Sequence, residues 1–131
     1  MAKPNQPKVV LWRSMYDPAG MDMLRDRGAD VVLVDSSDAA EVIAALPGAS
    51  ALWFRYPERV DRAILEAAKD LVVVSTSGFG TDNVDIAAAT KLGILVVNQP
   101  GFGRIPVSEH TLMLMLAAAK RFISIGASNT Q

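Results

Sequence analysis

Leu71-Val72-Val73-Val74-Ser75, then Ser77-Gly78-Phe79-Gly80, then Val84 to Leu92, Gly93 and Ile94-Leu95-Val96-Val97 follow one another in the middle of the chain. In that order they read as strand, turn, helix, stop and strand. The two apolar runs are short and β-branched, which suits strands buried on both faces of a parallel sheet. The segment between them has apolar residues at helical spacing and ends on a glycine, the residue that most easily takes the left-handed conformation that closes a helix.

The same alternation extends outward. Val9–Trp12, Val31–Val34 and Ala51–Phe54 are further strand-like runs, and Ala19–Arg27, Ala39–Leu46 and Val60–Lys69 are helical in pattern. Val60, Ile64, Leu65 and Ala68 share one side of the last of these, with Asp61, Arg62, Glu66 and Lys69 on the other. Gly28 and Gly48, like Gly93, stand where a helix must stop and turn back toward a strand. Five strands alternating with helices predict an α/β fold, a five-stranded parallel sheet with helices on both faces. Right-handed crossovers favour the flavodoxin-like order 2-1-3-4-5. Ligands of such sheets bind at the carboxyl ends of the strands, here the loops Arg13–Pro18, Asp35–Asp38, Arg55–Arg59, Thr76–Asn83 and Asn98–Val107.

The last element departs from the pattern. A long helix is predicted over residues 106–123, because Pro106 suits a first helical turn and no breaker follows until Gly126. Its middle, Leu112 to Ala119, is apolar on every face, and a helix hydrophobic all round calls for cover on all sides. One five-stranded layer covers one side only. The remainder needs a second domain, a partner chain or another copy of this chain, unless the helix is buried wholly within its own domain. Residues 1–105 then form the sheet domain, 106–123 the helix and 124–131 a small, polar, disordered tail.

The 131 residues carry 13 basic and 14 acidic side chains, 50% hydrophobic residues and no cysteine. This excludes disulfide scaffolds, thiol catalysis and cysteine-ligated metals, and no metal site is expected. The near-neutral balance offers no field to gather nucleic acid. The polar start, Met1 to Lys8, lacks a secretory apolar core, and the longest apolar run is well short of the roughly 18–20 residues that span a bilayer. A cytoplasmic protein without membrane contact is expected.

Catalytic groups are scarce. Ser77-Gly78-Phe79-Gly80 follows the fourth strand, and consecutive N–H groups in such a turn can form an anion nest; the plainer reading is a turn in which Asp82 or Asn83 caps the next helix. Gly101-Phe102-Gly103 imitates a dinucleotide fingerprint, but Pro106 replaces the third glycine and no acidic residue ends a following strand. Arg55 at the tip of the third strand can clamp a carboxylate, or pair with Glu58 or Asp61. His110 neighbours Glu109, but adjacent helical residues diverge, so it reads better as a structural histidine at the helix N-terminus. A phosphate-accepting receiver site fails on Trp12-Arg13 and Phe54-Arg55, and an FMN loop fails on the bulky Ser14 to Pro18.

Three linked stretches, Val74 to Asp85, Ala87 to Gly101 and Val107 to Ala117, resemble the NAD-dependent D-isomer-specific 2-hydroxyacid dehydrogenases. The resemblance implies a two-domain oxidoreductase, with a flavodoxin-like substrate-binding domain and a Rossmann domain inserted in the chain, that exchanges hydride between NAD and a 2-keto or D-2-hydroxy acid. It implies a substrate carboxylate held by the loop of Ser77, Gly78, Phe79 and Gly80. Arg55 and Tyr56 would close over the substrate, and the 106–123 helix would cross to the cofactor domain. Val107 and Thr111 on that helix would meet the cofactor only where a cofactor domain is present. The family's dinucleotide motif and its catalytic arginine, glutamate and histidine have no counterpart here, and His110 matches a crossing-helix histidine. The expectation is a truncated substrate-binding part, inactive by itself and binding NAD weakly at most. Its rival is a self-sufficient flavodoxin-like binding module that dimerises through residues 106–123.

Overall fold

A computed structural model describes residues 6–15 and 17–122. It divides into two compact units, Met1–Gln99 and Pro100–Gln131. The first unit contains β1 (Lys8–Trp12), α1 (Ala19–Asp26), β2 (Asp30–Val34), α2 (Ala39–Ala45), β3 (Ala49–Phe54), α3 (Arg62–Ala67), β4 (Val73–Thr76), α4 (Ile86–Leu92) and β5 (Leu95–Val97), and the second contains α5 (Arg104–Ala119). The strands form one parallel sheet in the order β2-β1-β3-β4-β5. This is the flavodoxin-like arrangement that the alternation predicts.

Strand side chains alternate between faces, so β1 supplies two cores. Val10 and Trp12, with Leu52, Phe54 and Val74 of the neighbouring strands, pack against Val42 of α2 and Leu46 at its C-terminal cap, Ile64 and Leu65 of α3, and Ala88 and Ala89 of α4. Val9 and Leu11 face the other way, into a smaller cluster with Met21 and Leu24 of α1 and Trp53 of β3. Gly20 permits this approach: a Cβ there would lie 2.8 Å from the Trp53 ring. Three helices thus cover one face and α1 the other, where Leu95 and Val97 of β5 remain exposed.

Local chemistry sets the ends of the helices. Asp38, Asp61 and Asp85 each accept an N–H of the first turn, from Ala40 at 2.9 Å, Ile64 at 3.1 Å and Ala88 at 2.8 Å. Asp85 caps α4, in place of the expected Asp82 or Asn83, because those two are the central residues of the Thr81–Val84 turn, closed by Val84 N–H to Thr81 C=O at 3.0 Å, which precedes the helix. Gly28, Gly48 and Gly93 have φ of 85°, 75° and 71°, the left-handed conformation their positions require.

In the second unit α5 begins at Arg104, with Pro106 in its first turn. Ile123 and the expected tail lie outside the described residues. No residue of α5 is buried, and Leu112, Met113, Leu114, Met115 and Leu116 are each 52% to 64% exposed. No helix among the described residues is long and apolar enough to cross a membrane.

Asp85→Ala leaves the Ala88 N–H without its acceptor, and the chain is expected to lose about 1 kcal/mol of stability. Urea unfolding checks this; an unchanged midpoint would remove the cap from the account.

Candidate functional site

The register of β3 against β4 pairs Trp53 with Ser75 and Phe54 with Thr76. The next residues, Arg55 and Ser77, therefore leave the sheet side by side at its carboxyl edge, and the Ser77 N–H donates to the Phe54 carbonyl at 2.9 Å. Between the two loops lies a cavity of about 160 Å³ lined by Arg55, Tyr56, Thr76, Ser77, Gly78, Gly80, Asp82 and Asn83. It is the position at which parallel α/β sheets bind ligands.

The loop after β4 is held by its carbonyls. Gly78 C=O accepts from the Gln99 N–H at 2.9 Å, and Phe79 C=O accepts from Asn98 Nδ2 at 2.7 Å. Among the described residues, the N–H groups of Gly78, Phe79 and Gly80 have no protein acceptor. Asn83 anchors the far end: its Nδ2 donates to the Glu58 carbonyl at 3.2 Å and its own carbonyl accepts from Val60 at 2.8 Å. The two glycines differ. A Cβ on Gly78 would have only Thr76 Oγ1 nearby, at 3.9 Å, whereas one on Gly80 would lie 2.6 Å from Asp82 Oδ1.

On the facing loop Arg55 Nε donates to the Ser14 carbonyl at 2.7 Å, and one terminal nitrogen donates to Tyr56 C=O at 3.3 Å. The two acidic groups offered as its partners have other work: Glu58 lies 3.4 Å from Arg13 Nε, and Asp61 caps α3. Tyr56, 77% exposed, stands at the rim and precedes a cis peptide to Pro57. Ser77 Oγ donates to Met15 Sδ at 3.2 Å, joining this loop to the one after β1.

Of the six residues singled out for substrate, Arg55, Tyr56, Ser77, Gly78 and Gly80 line one cavity. Phe79 does not line it; its side chain is 71% exposed. Thr76, Asp82 and Asn83 also line the cavity. Thr76, expected as the first residue of the loop after the fourth strand, is the last residue of β4, and the register places it at the cavity. Asp82 and Asn83 belong to the Thr76–Asn83 loop expected at the ligand edge, and the cap that the plainer reading gives to one of them comes from Asp85 instead.

Val107 and Thr111 lie on α5, where the Thr111 hydroxyl donates to the Val107 carbonyl at 2.8 Å. His110 is exposed, six residues beyond the start of α5, and its ring has no hydrogen-bond partner among the described residues, so it does not anchor the helix N-terminus. The 101–106 segment does not fit a dinucleotide pyrophosphate. Pro106 removes an N–H from the first turn of α5, and no strand follows that helix among the described residues. No cluster of three or more His, Asp or Glu among the described residues could hold a metal ion.

Comparison with known proteins agrees with this geometry. Residues 9–131 match the family model described as D-isomer specific 2-hydroxyacid dehydrogenase, catalytic domain. The D-3-phosphoglycerate dehydrogenase of Archaeoglobus fulgidus is 40% identical over 114 residues, which cover 87% of this chain and 21% of that protein. The Sus scrofa enzyme of the same name is 37% identical over 128 residues, or 98% of this chain and 24% of that protein. The chain therefore spans less than a quarter of these curated relatives. Among solved structures, the TT0316 protein of Thermus thermophilus superposes with a TM-score of 0.82 at 32% identity, over 92% of this chain and 39% of that one. The NAD+-bound 3-phosphoglycerate dehydrogenase of Entamoeba histolytica gives 0.76 at 25% identity, over 86% and 39%. A matching family model over nearly the whole chain, on a sheet of the same order with its cavity at the carboxyl edge, shows that the chain belongs to the D-isomer-specific 2-hydroxyacid dehydrogenases, in their catalytic domain.

Proposed function

We propose that the chain is the substrate-binding part of an oxidoreductase that exchanges hydride between NAD(H) and a 2-keto or D-2-hydroxy acid, and that the cavity between β3 and β4 holds the acid's carboxylate. The observation that carries this reading is the loop after β4: its Gly78 and Phe79 carbonyls are tied to Gln99 and Asn98, while the N–H groups of Gly78, Phe79 and Gly80 have no acceptor among the described residues. Donors without acceptors beside a cavity suit an anion, and each charge-assisted hydrogen bond contributes about 1.5–3 kcal/mol. Arg55 supplies a permanent positive charge in the same cavity, and Tyr56 offers an exposed ring at its edge. Phosphoglycerate, in the name of the relatives, is itself a D-2-hydroxy acid.

Binding a carboxylate does not by itself transfer hydride, which needs an acid, a base and a positioned nicotinamide. The cavity holds no histidine, and the 101–106 segment does not cradle a dinucleotide. The chain's own contribution is to bind and orient the acid. Val107 and Thr111 serve the cofactor side only alongside a cofactor domain.

Titration calorimetry with oxalate is expected to give a dissociation constant on the order of millimolar. Gly78→Val should weaken it by about tenfold while stability stays within about 0.5 kcal/mol, since that site has room for a side chain. Unchanged oxalate binding in that variant would remove the loop from the reading. NADH oxidation by the unaided chain with any 2-keto acid would contradict its lack of catalytic groups.

The exposed apolar residues of α5 favour a second feature, self-association through residues 106–123 as a homodimer or larger assembly. Contiguous apolar surface above a few hundred Å² is rarely left to water. Light scattering should show a mass above that of one chain and rising with concentration; a clean monomer at high concentration would rule this out.

A further inference from the structure

We infer that Arg13 and Asp35, which lie outside the cavity, are positioning residues for Arg55; this rests on the carboxylate-site reading. Arg13 follows the last residue of β1 at the point where the sheet order reverses, and its φ is 74°. L side chains rarely adopt that conformation, and outliers of this kind concentrate at functional sites. Here it does two things at once. The Arg13 N–H extends the β1–β2 ladder to Val34 C=O at 2.8 Å, and the chain then turns so that the Ser14 N–H reaches Asp35 Oδ1 at 3.1 Å. Ser14 is thereby anchored through its N–H, and its carbonyl, in the next peptide, accepts Arg55 Nε at 2.7 Å, the shortest hydrogen bond that Arg55 makes among those described.

The Arg13 side chain closes the arrangement from the other side. Its guanidinium lies between Asp35, 3.8 Å from the Oδ1, and Glu58, 3.4 Å from the Oε1. The contact with Glu58 is Coulombic, since Arg13 Nε is buried without an aligned hydrogen-bond acceptor. Glu58 is 9% exposed, and a carboxylate so buried requires a cation beside it. The Glu58 backbone meets two cavity residues: its N–H donates to Arg55 C=O and its carbonyl accepts from Asn83 Nδ2, both at 3.2 Å. Arg13 and Asp35 thus hold both ends of Arg55, the carbonyl through Glu58 and the Nε through Ser14, without touching the cavity. A planar guanidinium binds a carboxylate bidentately only when its plane is fixed, so partners that orient it affect affinity without contacting the ligand.

The test is NMR of the ligand-free ¹⁵N-labelled chain, with the Arg55 Nε–H cross-peak assigned by its loss in Arg55→Lys. Asp35→Ala, at an exposed position, and Arg13→Gly, whose backbone suits the left-handed conformation, are each expected to shift or broaden that cross-peak. Each should also weaken oxalate binding by about tenfold. Asp35→Asn, whose amide oxygen can accept the Ser14 N–H, should restore both. Folded variants that keep the parent cross-peak and the parent oxalate affinity would overturn the inference. A parent chain that fails to bind oxalate would defeat the carboxylate-site reading, while the cross-peak would still decide whether Arg13 and Asp35 orient Arg55.

Discussion

The site depends on one constraint, the parallel register of β3 and β4. Pairing Phe54 with Thr76, and closing the pair with the Ser77 N–H on the Phe54 carbonyl at 2.9 Å, brings Arg55 and the Ser77–Gly80 loop to the same edge. A slip of one residue would turn each β4 side chain to the opposite face, burying Ser75 and exposing Val74. The apolar alternation forbids that slip: Phe54, Val74 and Leu52 are fully buried against α2, α3 and α4. The core therefore fixes the site by fixing the register, although no core side chain other than Thr76 lines the cavity.

Strand and helix order, the sheet order and the helix-ending glycines were legible in the sequence because each rests on short-range chemistry. Val9–Trp12 reads as a strand whatever surrounds it, and Gly28, Gly48 and Gly93 carry their conformations wherever a helix ends. The cavity was legible in part. Gly78 and Gly80 mark a backbone that can approach a ligand, and Arg55 marks a charge at a strand tip. The partners of these residues were not legible, because they come from distant positions: Arg55 bonds Ser14, 41 residues away, and Asn83 bonds Glu58, 25 residues away. Glu58, read as a partner for Arg55, lies beside Arg13 instead. Nothing in the local sequence announces that Arg13 takes a left-handed conformation, which is uncommon for any residue with a side chain.

The two faces of the sheet are unequally covered, and this bears on how the family's domain is used. Within the first unit, α2, α3 and α4 pack on one face and α1 on the other, where Leu95 and Val97 are exposed. The helix α5 has no buried residue, and its second half, Leu112 to Ala119, is apolar on every face. A chain that spans 21% to 24% of its curated relatives thus carries apolar surface beyond what its own core uses. That surface supports the proposal that the chain serves as the substrate-binding part of a larger oxidoreductase.

Backbone amide mapping tests the central claim most directly. The ¹⁵N-labelled chain is titrated with oxalate and, in parallel, with oxamide, its uncharged counterpart. The account predicts saturable shifts at the N–H groups of Gly78, Phe79 and Gly80 with oxalate, and none with oxamide. Shifts confined to other parts of the chain, or equal shifts with both compounds, would contradict it.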